Sequence, residues 1–449
     1  MPRRAVKAVD PRAVAHEVLV RVETTDAFAD VLLADRLVAA ALDARDTALV
    51  TRLVYGTLAW QGRLDHRLRG LLKTSLERLD PPVRAALRLG LYQFAFLARV
   101  PAYAAVDASV RLAGRRAGGL VNAVLRRAAI DPAALPDLPA DPIARLAIEC
   151  SHPEWLVARW ATEFPPDELP ALLAANNERA PSAVRTNRLR ATRAGVLDEL
   201  RAAGVTATSG AWAPDAIVIA RGAASLRGLP AWREGRIAFQ GEVSQLVAPL
   251  LDVRGDAHVL DACAAPGGKA AHAATLVELR GRVVALDVRA GGAARIRAEA
   301  RRLGADAVDV VAADARRPPF RSRFDAVLVD APCSGLGTLR RHPELRWRRR
   351  PADLARLATL QGELLAGVAP LVRPGGVLVY AVCTITREET DDVVRAFLEA
   401  RRGFALEPLA DLPAALLGRD GCMRTLPHRH GLDGFFAARF RLDSRDGVR

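Results

Sequence analysis

The chain has 449 residues, 51% of them hydrophobic, which is too long for one ordinary core and supplies apolar material for two or three. That balance excludes a disordered or low-complexity protein. Lysine and arginine number 65 against 51 acidic residues, and the net charge of +14 favours a polyanionic partner such as nucleic acid.

The opening residues, MPRRAVKAVDPRAVAHEVL, lack the apolar centre of a secretory signal, and no uncharged apolar run approaches the roughly eighteen residues that span a bilayer. A cytosolic chain with no membrane partner is expected. From Asp10 to about Ala129 apolar residues recur at spacings of three and four, in AVAHEVLVRV, FADVLLADRLVAAAL, ALVTRLVYGTLAW and PPVRAALRLGLYQFAFL, which predicts an all-α bundle over 1–135. Its last helix carries Arg111, Arg115, Arg116, Arg126 and Arg127, a basic face that the overall charge turns toward RNA. The closely spaced prolines of DPAALPDLPADP, Asp131 to Pro142, read as a linker. Helical patterns in SHPEWLVARWATEF and ELPALLAANNERA, followed by SAVRTNRLRAT and a mixed segment, predict a small α+β module over 143–235. Beyond it, HVLDAC, GRVVALDV, VDVVAAD, FDAVLVDAP, GGVLVYAVCT and DGFFAARFRL are apolar runs separated by helical stretches. They predict a doubly wound α/β domain over 236–443, with a largely parallel sheet covered on both faces.

In such sheets ligands bind beyond the carboxyl ends of the strands. The first run ends in LDACAAPGGKAAH, where Gly267 and Gly268 permit close backbone approach to a ligand. The loop has neither G-x-G-x-x-G nor the spacing of a triphosphate-binding loop. Acids follow the next runs: Asp287, suited to ribose hydroxyls, Asp314, suited to an adenine amino group, and Asp330. A single strand-end Asp is more simply a helix cap. A glycine-rich loop with three such acids instead suits S-adenosylmethionine, a cationic adenosine without a pyrophosphate.

The five cysteines are odd in number and contain no C-x-x-C pair, so neither a disulfide framework nor a metal site is expected. Cys150 and Cys422 read as buried and inert, and Cys263 as a shaper of the cofactor loop. Cys333, in Asp330-Ala331-Pro332-Cys333, and Cys383, in YAVCT, fall at two strand ends beside the expected methyl donor. Carbon 5 of a pyrimidine is a poor nucleophile until a thiolate adds to carbon 6 and makes it enamine-like. One thiol can attack and the other assist elimination, with Asp330 holding N3 and the exocyclic amine. Spacing alone leaves open which thiol attacks.

The segments LDACAAPGGK, DAPCSG followed by RRHPELRW, and YAVCT resemble the RNA 5-methylcytosine methyltransferases of the Nop2/Sun type. The front half, with GLVNAVLRR, SHPEWLVARW, AANNERAP and VRTNRLR, resembles the bacterial branch that acts on small-subunit ribosomal RNA, whose N-terminal domain is a NusB-like helical RNA-binding domain. The resemblance implies a class I (Rossmann-like) methyltransferase domain and makes Cys383 the nucleophile, Cys333 the releasing thiol and Asp330 the acid between donor and cytosine. It places S-adenosylmethionine on Cys263, Ala264, Ala265, Pro266, Gly267, Gly268 and Lys269, with Asp287, Asp314 and Asp330. Two departures stand out: Val382 precedes Cys383 where the family commonly has Thr, and Gly241 in FQGEVSQLV replaces an expected acid.

Arg340, Arg341, His342 and Trp347, with Arg346, Arg348, Arg349 and Arg350, follow the Cys333 motif and are expected at the crevice, gripping phosphate and stacking a base of unpaired ribosomal RNA. No metal and no particular protein partner is indicated. The rival expectations are a transfer RNA cytosine-5 methyltransferase, a catalytically silent RNA-binding assembly factor and, more remotely, a cofactor-dependent dehydrogenase.

Overall fold

The computed structural model describes residues 9–131, 135–253, 255–277 and 281–444, so residues 132–134 of the expected linker lie outside the described residues. The chain forms two units. One comprises residues 1–179 together with Leu339–Arg349, the other residues 180–338 and 350–449.

The first unit is helical. α1 (Pro11–Thr24) starts where Asp10 accepts the Arg12 N–H at 2.9 Å, with Pro11 at the first helical position. α2 (Ala29–Ala40), α3 (Ala44–Ala59), α4 (Gln61–Leu71), α5 (Pro81–Phe96) and α6 (Ala102–Ala129) follow. Residues Ala85 through Gln93 of α5 are all buried, which marks it as the central helix of the bundle. The single long helix expected at the end is two, broken within α6 at Gly114, whose φ of 74° is not helical. α7 (Pro142–Glu149), α8 (Glu154–Ala161) and α9 (Leu169–Asn177) belong to this unit, with α7 against α4 and α9 against α3. The expected boundary at 143 therefore differs from the observed grouping, in which the helices up to residue 179 pack with the bundle and the small sheet module starts after them.

The second unit opens with β1 (Ser182–Thr186), α10 (Arg193–Ala202), β2 (Thr206–Ser209), β3 (Ala216–Arg221) and β4 (Ile237–Phe239). The strands form an antiparallel sheet in the order β2-β3-β1-β4, over a core of Val184, Val196, Leu200, Ile217, Ile219 and Ile237. Asn187 fastens this module to the end of the helix Ala290–Leu303, its amide donating to Gly235 O at 2.8 Å and Leu303 O at 2.7 Å.

β5 (His258–Asp261), β6 (Arg282–Asp287), β7 (Val308–Ala312), β8 (Phe324–Asp330), β9 (Val372–Val382), β10 (Phe404–Glu407), β11 (Met423–Thr425) and β12 (Phe435–Leu442) build the large sheet in the order β10-β12-β9-β8-β5-β6-β7, with β11 on β12. β5 through β9 pair in parallel, and β12, β10 and β11 run antiparallel. All six expected strands are present; β10 and β11, four and three residues long, were not expected. Neighbouring residues feed opposite cores: Val259, Leu328, Val379 and Ala381 lie in one, Leu260, Val329, Tyr380 and Val382 in the other. This two-sided burial defines a doubly wound sheet. Chain order reverses between β5 and β8, so the switch point at which such sheets bind ligands lies at their carboxyl ends. Among the described residues no helix is long and apolar enough to cross a membrane.

Candidate active site

The loop after β5 hangs on both neighbouring strands: Ala262 N–H donates to Leu328 O and Ala264 N–H to Leu286 O, each at 2.8 Å. Ala265 and Pro266 lead to Gly267, whose φ of +113° favours glycine and where a Cβ would lie 3.1 Å from Ile296 Cα. The helix Gly268–Leu276 then starts, and Lys269 reaches Asp330 at the end of β8, Nζ to Oδ2 2.6 Å. Burial opposes the charge on Lys269, but Asp330, followed by Cys383 and Asp261, outweighs it and raises the ammonium above its ordinary value.

The expected acids converge. Burial pushes the Cys263 thiol far up, and the charges of Asp261, Asp330, Asp287 and Asp314 push it further, so this cysteine stays protonated. Asp287 also serves its own helix start: its Oδ1 accepts the Arg289 N–H at 2.9 Å. Asp314 is forked by Arg316, which donates from its backbone N–H at 2.9 Å and from Nη2 at 2.7 Å, and those bonds hold the carboxyl below its usual range. Asp261, at the end of β5, is buried, and burial together with the Asp330 charge raises it to about 7.

Cys333 follows β8 and Cys383 follows β9, and their sulfurs lie 3.3 Å apart, within reach of an S–H···S hydrogen bond. That bond, then burial, then the charges of Cys383 and Glu389 raise Cys333 well above the normal thiol value. The Cys333 loop crosses the Cys383 loop at Gly337, whose N–H donates to Cys383 O at 3.1 Å and whose own carbonyl accepts from Gly434 N–H at 2.7 Å. A Cβ at Gly337 would fall 2.0 Å from Gly434 O, so only glycine fits.

The two sequence departures lie in defined surroundings. Val382 faces the apolar core, where a hydroxyl has no role, and Thr384 on the other side of Cys383 bonds Ser334 Oγ at 2.9 Å. Gly241 precedes Glu242, a buried carboxylate that accepts the N–H groups of Trp212 at 2.6 Å and Ala213 at 3.1 Å.

Family models match residues 248–441 (16S rRNA methyltransferase RsmB/F), residues 9–129 (NusB family) and residues 152–225 (RsmF/B-like ferredoxin-like domain). A Bacillus subtilis protein described as a probable ribosomal RNA small subunit methyltransferase B is 37% identical, over 97% of this chain and 99% of its own length. The chain belongs to the RsmB/F family of ribosomal RNA methyltransferases. The ribosomal RNA small subunit methyltransferase B of Pseudomonas syringae is 39% identical over 89% of this chain and 90% of its own. The crystal structure of PH0851 superposes with a TM-score of 0.83 at 28% identity, covering 96% of this chain and 99% of that one.

The RsmB/F framework carries the arginine run in an unexpected way. Residues 339–349 belong to the helical unit, and within it Arg346 is wholly buried. Its Nη1 donates to Asn177 Oδ1 at 2.6 Å and Ser151 O at 3.0 Å, its Nη2 to Asn176 O at 3.1 Å, and burial lowers it to about 9. Arg348 Nη2 donates to the carbonyls of Val22 (2.7 Å), Ala27 (2.8 Å) and Thr25 (3.0 Å) around the end of α1. Trp347 donates from Nε1 to Leu58 O at 3.3 Å and packs on Gly62, while His342 lies edge-on to Phe28 at 5.5 Å. The donors of Arg346, Trp347 and Arg348, expected to grip phosphate and stack a base, here bond oxygens of the helical unit itself. Arg340 and Arg341 are partly exposed.

Sequence reasoning missed Glu389. In ITREET it reads as an acid opening a helix, yet its side chain is fully buried and touches the loops of both candidate cysteines. Only its sequence distance of six from Cys383 hinted at a part in the site.

Proposed function

We propose that this RsmB/F protein methylates carbon 5 of a cytidine in 16S ribosomal RNA through a covalent adduct between Cys383 and carbon 6. The observation that carries the reading is the pair of thiols 3.3 Å apart at the ends of adjacent parallel strands, next to the Lys269–Asp330 pair. The donor set suits S-adenosylmethionine: a loop at Gly267 with no room for a side chain, and Asp261, Asp287, Asp314 and Asp330 close enough to act together on Cys263. Cys263 through Lys269, with Asp287, Asp314 and Asp330, would hold it, and when bound it supplies the methyl group as a sulfonium.

The assignment of Cys383 as the nucleophile follows the family resemblance, and it agrees with Cys333 being pushed toward its neutral form by its hydrogen bond to Cys383, by burial and by Glu389. The Cys383 thiolate adds to carbon 6 while Asp330 holds the base edge, and carbon 5 acquires the nucleophilicity to take the methyl group. In the second half the carbon 5 proton passes to water, its electron pair restores the ring double bond, and the carbon–sulfur pair returns to Cys383. Cys333 assists this departure by donating its S–H to the leaving sulfur. Arg340, Arg341, His342, Arg349 and Arg350 remain the members of the arginine-rich segment assigned to RNA contact.

Covalent trapping tests the assignment. With methyl-labelled donor and undermethylated small-subunit RNA, Cys333→Ala accumulates a denaturant-resistant protein–RNA adduct and Cys383→Ala forms none. The reverse pattern exchanges the two roles. Labelled 5-methylcytidine absent from that RNA, but present in a parallel transfer RNA pool, would move the substrate to transfer RNA.

A further inference from the structure

We propose that Glu389 is the positioning residue of the two-thiol site: one buried carboxylate locks together the loops that carry Cys333 and Cys383 and places a fixed negative charge on the Cys333 side. Its catalytic meaning rests on the function proposed for the two thiols, though its structural content does not depend on it.

Glu389 closes a short turn, Arg387–Glu389, and none of its side chain reaches solvent. Its Oε1 accepts the Ser334 N–H at 2.8 Å and Gln361 Nε2 at 3.0 Å, and its Oε2 accepts Thr386 Oγ1 at 2.9 Å and Thr384 Oγ1 at 3.3 Å. Gln361 Nε2 also donates to Pro332 O at 2.9 Å, and Ser334 Oγ bonds Thr384 Oγ1 at 2.9 Å. The residues on both sides of Cys333 and the residue after Cys383 are therefore tied to one carboxylate. Tyr380, from β9, adds a bond from its hydroxyl to the Glu389 carbonyl at 2.7 Å. A buried carboxylate is tolerated when its lone pairs are met by donors, and four donors meet them here.

The Glu389 carboxylate bonds the N–H of Ser334, the residue next to Cys333, and its charge is among the causes that raise the Cys333 thiol. A charge fixed beside Cys333 disfavours a second negative charge there. Cys333 consequently keeps the proton with which it can donate to Cys383 as that sulfur leaves carbon 6. The bond that breaks is carbon 6 to sulfur, its electron pair stays on Cys383, and Cys333 is unchanged at the end.

Two measurements on the full chain test the two halves. In the Cys383→Ser background, alkylation of Cys333 by iodoacetamide is followed against pH by peptide mass spectrometry, with Glu389 and with Glu389→Gln. The amide can face its oxygen to Ser334 and Gln361 and its NH2 to the threonine hydroxyls, so it removes the charge and keeps the bonds. The midpoint is expected to fall by about one pH unit; an unchanged midpoint overturns the electrostatic role. Glu389→Asp retains the charge on a shorter arm. It should leave the alkylation midpoint near that of the parent, yet lower kcat for methyl transfer by tenfold or more at unchanged KM for RNA. A wild-type kcat overturns the positioning role, and this arm stands if the amide variant fails to fold. If the wild-type chain methylates no RNA, the functional reading fails, and the thiol titration still decides whether Glu389 controls Cys333.

Discussion

Asp261 ends β5 under the loop expected to hold the cofactor, and its burial and the neighbouring Asp330 raise it from 3.8 to about 7. An acid raised on folding holds its proton more tightly in the folded chain, so its contribution to stability is fully present below about pH 4 and is lost as pH rises through about 7. Each pH unit of that window is worth about 1.4 kcal/mol. Asp261→Asn removes the titration, so the melting temperature of the variant should gain on wild type between about pH 4 and pH 7 and level off above that. A difference that stays constant with pH would show that Asp261 is ionised throughout. At this scale the sequence was legible for position: Asp330 ends β8, Cys333 and Cys383 follow β8 and β9, and Lys269 stands in the first turn of the helix after β5. It was not legible at Glu389, whose importance comes from donors 3 to 55 positions away that the fold brings around it.

The segment Leu339–Arg349 shows how an element changes the meaning of its residues. As sequence, RRHPELRWRRR is a basic run and reads as a solvated grip on phosphate. In the helical unit Arg346 and Arg348 donate to carbonyls of α1, α9 and the segment before α8, and Glu344 Oε1 accepts the Ala29 N–H at 3.0 Å at the start of α2. Arginine suits this work because its rigid fork serves several oxygens at once and it is less strongly hydrated than lysine. Replacing Arg346 by Met leaves at least three buried oxygens without a donor, and Arg346→Lys restores the charge but not the fork. We expect Met to destabilise the helical unit by about 3–5 kcal/mol and Lys to recover only part of that loss, read by thermal melting and limited proteolysis. Wild-type resistance in both variants would show that the bonds of Arg346 contribute little to the stability of the helical unit.

At the scale of the whole molecule the surplus of base over acid, +14, has a consequence independent of any single contact. If binding to unpaired RNA neutralises about four phosphates, affinity should fall about 50-fold between roughly 50 mM and 200 mM salt. A flat response would mean that phosphate contacts contribute little.

The sequence by itself determined the order of the domains, the doubly wound sheet and the loops at its strand ends, because hydrophobic period and turn residues act locally along the chain. It also determined which chemical groups stand after β5, β8 and β9. Only the tertiary structure decided that helices up to residue 179 and the segment Leu339–Arg349 share one unit, and that Arg346 of that segment is wholly buried. It alone set the two sulfurs 3.3 Å apart and surrounded Glu389 with four donors. Those outcomes depend on distances between residues remote in sequence, and such distances come into being only when the cores close.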